Sequence, residues 1–181
     1  MNLSRRISIL SGLLATALLA TAAPAAARAA AQPSERDTAW IVAAHQANLA
    51  EIATGKMAQE KGTSAVVKEL GERFVTDHTK LDAALRPLAS ELNVALPDKP
   101  TAEQQAVAQR LSDTAVGADF DKLWIEQQLA AHAKSMQATQ QEIDSGDAAR
   151  VKQVAEAALP VIKQHHEALM KAAPAFGLPQ R

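Results

Sequence analysis

The chain has no cysteine and no tyrosine among its 181 residues, and only two tryptophans and three phenylalanines. Without cysteine there are no disulfides, no thiolate catalysis, no iron–sulfur ligation, no covalent c-type haem and no lipid-modified N-terminal cysteine. The scarcity of aromatics removes the stacking platform that single-stranded nucleic acid uses, and the lysines and arginines are scattered rather than clustered. Nucleic acid is therefore not an expected partner. Strand-like alternation is missing after residue 37, and there is neither a glycine-rich phosphate loop nor a nucleophile elbow.

Arg5 and Arg6 precede an apolar run from Ile7 to Ala23 and an alanine-rich stretch ending at Ala31. A basic segment, an apolar segment and small residues at A-x-A spacing describe a secretory signal peptide over residues 1–31, cut after Ala27, Ala29 or Ala31. Ser8, Ser11, Thr16 and Thr21 dilute the run, which is short against the roughly 20 apolar residues of a membrane span. The expected address is the periplasm, reached by Sec export, although Arg5-Arg6 leaves the twin-arginine route open. A mature domain over residues 32–181 has about 150 residues, enough for one substantial core.

From Asp37 onward the apolar residues recur at helical period. Ile41, His45, Leu49 and Ile52 share one face of a first helix that stops at Gly62. Val67, Leu70, Phe74, His78, Leu81, Leu85, Leu88 and Leu92 form the stripe of a second, with His78, Leu81 and Leu85 expected in the core. A short helix follows Thr101. A third long helix carries Ile125, Leu129, His132, Met136 and Ile143, and a fourth carries Val151, Val154, Ala158, Ile162, His165 and Leu169, with a kink expected at Pro160. The prediction is all-α: a four-helix bundle with one short extra helix in the second connection.

Each long helix thus has one histidine on its apolar stripe. His45 lies about 17 residues before Gly62 and His78 about 16 after it, while His132 and His165 flank Gly146 at about 14 and 19 residues. At about 1.5 Å of rise per residue, all four fall within roughly 7 Å along the bundle axis. Because these histidines lie near mid-helix, that clustering is expected whether the long connection keeps an up-down-up-down order or crosses over. Imidazole ligates zinc, copper, iron and nickel, and bundle cores build sites from facing helices. Asp82, one turn after His78, is a candidate to orient that ring. The alternative is structural: a core histidine is more often simply hydrogen-bonded. Asp77 beside His78 points away from it and forms no catalytic dyad with it. Met57, Met136 and Met170 read as core fillers, Trp40 and Trp124 as packing anchors, and His166 as the edge of the stripe.

The segment His45-Gln46-Ala47-Asn48-Leu49-Ala50-Glu51-Ile52 with Gly55 resembles the first helix of the domain-of-unknown-function 4142 family. The resemblance continues through Thr76-Asp77-His78-Thr79-Lys80, Leu92-Asn93-Val94 with Pro97, Gly117-Ala118 with Phe120-Asp121, His132, Leu159-Pro160 and His165. Such proteins are often labelled "predicted outer membrane protein" and grouped with ferritin-like bundles. The resemblance implies recurring polar core residues at Glu51, Asp77, His78, His132 and His165, a set without His45, and it implies no particular activity. The outer-membrane label conflicts with the sequence, since barrel strands of about 10 alternating residues are not there. The candidate metal set is His45, Glu51, His78, His132 and His165, for a divalent transition metal. No histidine has a glutamate three residues before it, so the paired Glu-x-x-His ligands of di-iron bundles are missing. Three roles follow: a non-catalytic envelope or stress protein, a periplasmic metal-binding bundle, or a ferritin-like redox enzyme. No catalytic residue stands out, and protein partner and oligomeric state are open.

Overall fold

A computed structural model describes residues 33–179; the expected signal peptide lies outside the described residues. Five α-helices follow one another: α1 (Glu35–Lys61), α2 (Ala65–Glu91), α3 (Ala102–Asp113), α4 (Ala118–Ser145) and α5 (Ala149–Ala172), closed by a 3₁₀ turn over Ala173–Phe176. Helix α1 begins with a capping box in which Ser34 and Asp37 satisfy each other's backbone N–H groups, and Thr101 with Gln104 does the same for α3. Helix α5 runs unbroken through Pro160, whose ring sits on the exposed face. Among the described residues no helix is long and apolar enough to cross a membrane.

The four long helices form two antiparallel hairpins, α1/α2 and α4/α5. Helix α1 also lies against α4, and α2 against α5. Cross-contacts give the directions: Asp37 reaches Ala148, Thr54 reaches Gln128, and Thr63 reaches Asp121, so α1 and α4 are antiparallel. The pairs Asp77–His165 and Glu91–Arg150 orient α2 and α5 in the same way. Helices α2 and α4 are therefore parallel, and the connection containing α3 crosses the length of the bundle, as in ferritin-like folds. It runs beside α1, where Lys61 Nζ donates to the carbonyls of Leu111 and Ser112.

Two first-turn carboxylates tie the hairpins together. Asp121 of α4 accepts from the backbone N–H of Thr63 and Ser64 in the α1–α2 turn, and Asp37 of α1 accepts from those of Asp147 and Ala148 in the α4–α5 turn. Each satisfies N–H groups near a helix N-terminus that would otherwise have no partner.

The core is split. Phe74, Leu111, Phe120, Trp124, Ile125 and Leu169 anchor one apolar cluster. Trp40, Ile41, Leu85, Leu88, Val151 and Ala155 anchor the other. Between them along the helices lie buried polar side chains: His45, Asn48, Glu51 and Thr54 on α1, His78 and Asp82 on α2, Gln128 and His132 on α4, and His165 on α5. Leu81, expected in the core beside His78 and Leu85, is only partly buried, and Asp82 takes the inward position instead. Hydrophobic periodicity locates the stripe to within one residue, and here a hydrogen bond decides which neighbour turns in.

Candidate metal centre

Helices α1 and α2 come together at two glycines. A Cβ on Gly71 would stand 2.7 Å from both the Gly55 carbonyl oxygen and the Ala58 Cβ, and one on Gly55 would meet the Gly71 carbonyl at 2.8 Å. This contact brings Asn48 of α1 within 2.9 Å of His78 Nδ1 on α2. On α4, His132 Nδ1 reaches back one turn to the Gln128 carbonyl at 3.0 Å. On α5, His165 Nε2 meets Asp77 Oδ2 at 3.0 Å.

These three bonds determine the protons on the rings. A carbonyl and a carboxylate only accept, so neutral His132 carries its proton on Nδ1 and neutral His165 carries it on Nε2. With Asn48 Oδ1 as acceptor, His78 is protonated on Nδ1. The lone pairs then sit on His78 Nε2, His132 Nε2 and His165 Nδ1. His78 Nε2 is buried without any hydrogen-bond partner. His132 Nε2 and His165 Nδ1 stand 3.4 Å apart with no proton between them. Each of the three residues offers a ligand atom within 4.8 Å of the others'. Two nitrogens bonded to one ion at about 2.0–2.1 Å are separated by roughly 3.3–3.6 Å, so the His132–His165 pair already has a chelating spacing.

The rings are packed as a trio, with centroids 5.3 to 5.6 Å apart. Phe74 covers them at 4.5 Å from His165 and 4.8 Å from His132. Burial pushes all three histidines below their ordinary value. His132 falls to about 3 by burial and the neighbouring His165, against the opposing Gln128 carbonyl. His78 is lowered well below the usual range by burial and by the charges that His132 and His165 would carry. His165 is lowered by burial, and the Asp77 carboxylate offsets part of that. The rings are neutral around pH 7, the form that coordinates metals.

His45 is not brought into the trio. Its Nδ1 meets Asp82 Oδ1 at 2.5 Å and its Nε2 meets the Pro97 carbonyl at 2.9 Å. Both ring nitrogens are thus engaged by groups away from the trio, and neither is turned toward it. Asp82, expected to orient His78, instead holds His45 and accepts from Arg86. The level argument from Gly62 erred by about one turn, because Thr63 and Ser64 lie outside both helices and set Asn48, not His45, opposite His78.

Glu51 stands behind the site. Its Oε1 lies 4.0 Å from His132 Nδ1, on the side of the ring facing away from the shared centre. Burial raises its carboxyl to about 8, with the Gln128 side chain opposing that shift, so it is largely protonated at neutral pH.

Periodicity marks the histidines but not their orienting partners. Asn48 and Gln128 are buried on faces that look merely polar in sequence, and Asp77 belongs to the site through His165, two helices away from its sequence neighbour's role. Asn48 and Gln128 show in the sequence as polar residues at core register, and Asp77 only through the family resemblance.

The family described as "Domain of unknown function (DUF4142)" matches residues 22–172. The chain belongs to this DUF4142 family. No curated protein and no solved structure matches it. Membership agrees with the all-helical bundle and names no activity.

Proposed function

We propose that this DUF4142 protein is exported to the periplasm and holds one transition-metal ion in the centre formed by His78, His132 and His165. Its role is envelope metal handling or stress tolerance rather than catalysis. The observation that carries this reading is the convergence of three ring nitrogens with outward-facing protons and inward-facing lone pairs. Acceptors facing each other in a buried space repel unless an electrophile sits between them. Asn48, Gln128 and Asp77 act as the outer hydrogen-bond acceptors that metal-bound histidines require. Export rests on the pattern of residues 1–31.

Di-iron redox chemistry is less well supported despite the crossover topology. Such centres bridge two ions with inward carboxylates, whereas Glu51 lies behind His132 and Asp77 lies on the outer edge of His165.

The test is elemental analysis of untagged protein, alongside the His132→Ala variant with its helical content checked by circular dichroism. One ion per wild-type chain, lost in the folded variant, is the expected result. Absence of stoichiometric metal after loading with zinc, copper, iron and nickel in turn would leave the histidine layer purely structural.

A further inference from the structure

Imidazole serves zinc, copper, iron and nickel alike, so ligand type does not choose the ion. The number of donors, their charge and their surroundings do.

The donors are three and neutral. Among the described residues, the His/Asp/Glu group able to converge on one ion consists of His78, His132 and His165 alone. The nearby carboxylates are otherwise placed: Asp82 is turned to His45, and Glu51 is behind His132. Asp77 touches the outer nitrogen of His165, but Arg73 Nε and Lys80 Nζ each stand 3.6 Å from its carboxylate. Its negative charge is therefore already matched at the surface. An ion entering the centre brings its whole charge into a buried space, and the cost of that transfer grows steeply with charge.

Glu51 Oε2 is buried without a hydrogen-bond partner, but Glu51 lies outside the group whose ligand atoms converge. His78, His132 and His165 are at most 4% exposed, and the Phe74 ring lies against two of them. A water ligand would need further polar partners to hold it. A zinc ion on three histidines completes its coordination with a water or other fourth ligand, while a cuprous ion, of lower charge, is satisfied by three donors in a plane. The 3.4 Å between His132 Nε2 and His165 Nδ1 fits one edge of such a triangle, as it fits other chelating geometries, and His78 offers its ligand atom within 4.8 Å of both.

We propose that the three-histidine centre selects a monovalent, three-coordinate cuprous ion over divalent ions. This rests on the metal-binding reading above.

The experiment titrates untagged protein anaerobically with Cu(I) buffered by bicinchoninate, and separately with Zn(II) against a chromophoric zinc chelator. X-ray absorption then counts the ligands on the copper-loaded protein. One Cu(I) per chain with three nitrogen neighbours is expected, held more tightly than Zn(II) by a factor on the order of 100, since burying a second charge adds to the desolvation penalty. Zinc bound as tightly as Cu(I), or a four-coordinate copper spectrum, overturns the cuprous assignment and leaves the metal centre standing. Binding of neither ion at one per chain overturns the metal centre itself, and the cuprous assignment with it.

Discussion

Asp82 Oδ1 accepts from His45 Nδ1 at 2.5 Å while Asp82 Oδ2 accepts from Arg86 Nε at 2.6 Å. This buried carboxylate ties α1 to the outer face of α2, and through the second His45 nitrogen it ties both to the Pro97 carbonyl in the crossover connection. The pairing gives His45 a structural task distinct from that of the three histidines one turn away.

Replacing His45 by alanine should therefore lower stability without touching metal uptake. Asp82 keeps its Arg86 partner, so the loss is that of one buried hydrogen bond and the packing of the ring, roughly 1–3 kcal/mol. Chemical denaturation measures the loss, and metal stoichiometry on the folded variant should equal that of wild type. A variant that folds but binds no metal would return His45 to the site.

Asn48 accepts the His78 Nδ1 proton and so aims His78 Nε2 inward. Asn48→Ala should keep the helical fold while weakening metal affinity about 10–100-fold, the usual effect of losing an outer-shell partner. Competition titration against a chelator of known affinity reads this directly. Unchanged affinity would mean that packing against Phe74 and its neighbours orients the ring unaided.

Glu142 and Asp37 set opposite pH dependences at the end of the bundle where α1 starts. Burial raises Glu142 to about 7, and the adjoining Asp37 carboxylate adds to this. Burial would raise Asp37 too, but hydrogen bonds from Ser34 and Ala148, together with the neighbouring Glu142 carboxyl, outweigh it and hold Asp37 at about 2. An acid that binds its proton more tightly when folded contributes stability in full below its ordinary value and loses it as pH rises through its folded value. Glu142 therefore loses its contribution between its ordinary 4.5 and about 7. Asp37 runs the other way, with a contribution present above its ordinary 3.8 and lost as pH falls toward about 2. Glu142→Gln carries no titrating proton, so its melting temperature should gain on wild type between pH 5 and pH 8. Parallel melting curves across that range would show that the Glu142 carboxyl titrates normally.

A side chain at Gly71 should act on the fold and the site together. The 2.7 Å contacts its Cβ would make with the Gly55 carbonyl and Ala58 force α1 and α2 apart. Gly71→Ala should cost about 1–3 kcal/mol, the range for overpacking a close contact, and should weaken metal binding by separating Asn48 from His78. Thermal melts with and without the ion give both numbers. A neutral substitution would mean that the helices slide past each other at no cost.

The bundle was legible in the sequence because helical period, caps and turn residues are local signals. Gly62, Thr101 and Gly146 mark helix ends within a residue or two of where they fall, and the first helix, expected from about Asp37, starts at Glu35; the resemblance around Asn48–Glu51, Asp77–His78 and Gly117–Asp121 named the family. Pro160 does not end the helix, because a proline whose ring faces solvent can be carried inside a helix held by its neighbours. The polar middle of the core was half legible. A histidine on an apolar stripe announces burial, but the partners of His78 and His165 come from other helices and leave no trace in the adjoining residues.

Composition and period alone decided that this chain is all-helical, free of thiol chemistry and supplied with one inward histidine per long helix, since each depends on residues within a few turns of one another. Tertiary structure decided the rest. The crossover places α4 beside α1, two residues outside the helices at Thr63 and Ser64 shift the register by about a turn, and Asp82 captures His45. Which nitrogen of each ring faces the centre depends on acceptors contributed by Asn48, Gln128 and Asp77. A lone pair's direction is set by the acceptor on the far side of the ring; packing brings that acceptor to His78 and His165, while His132 takes it from its own helix one turn back.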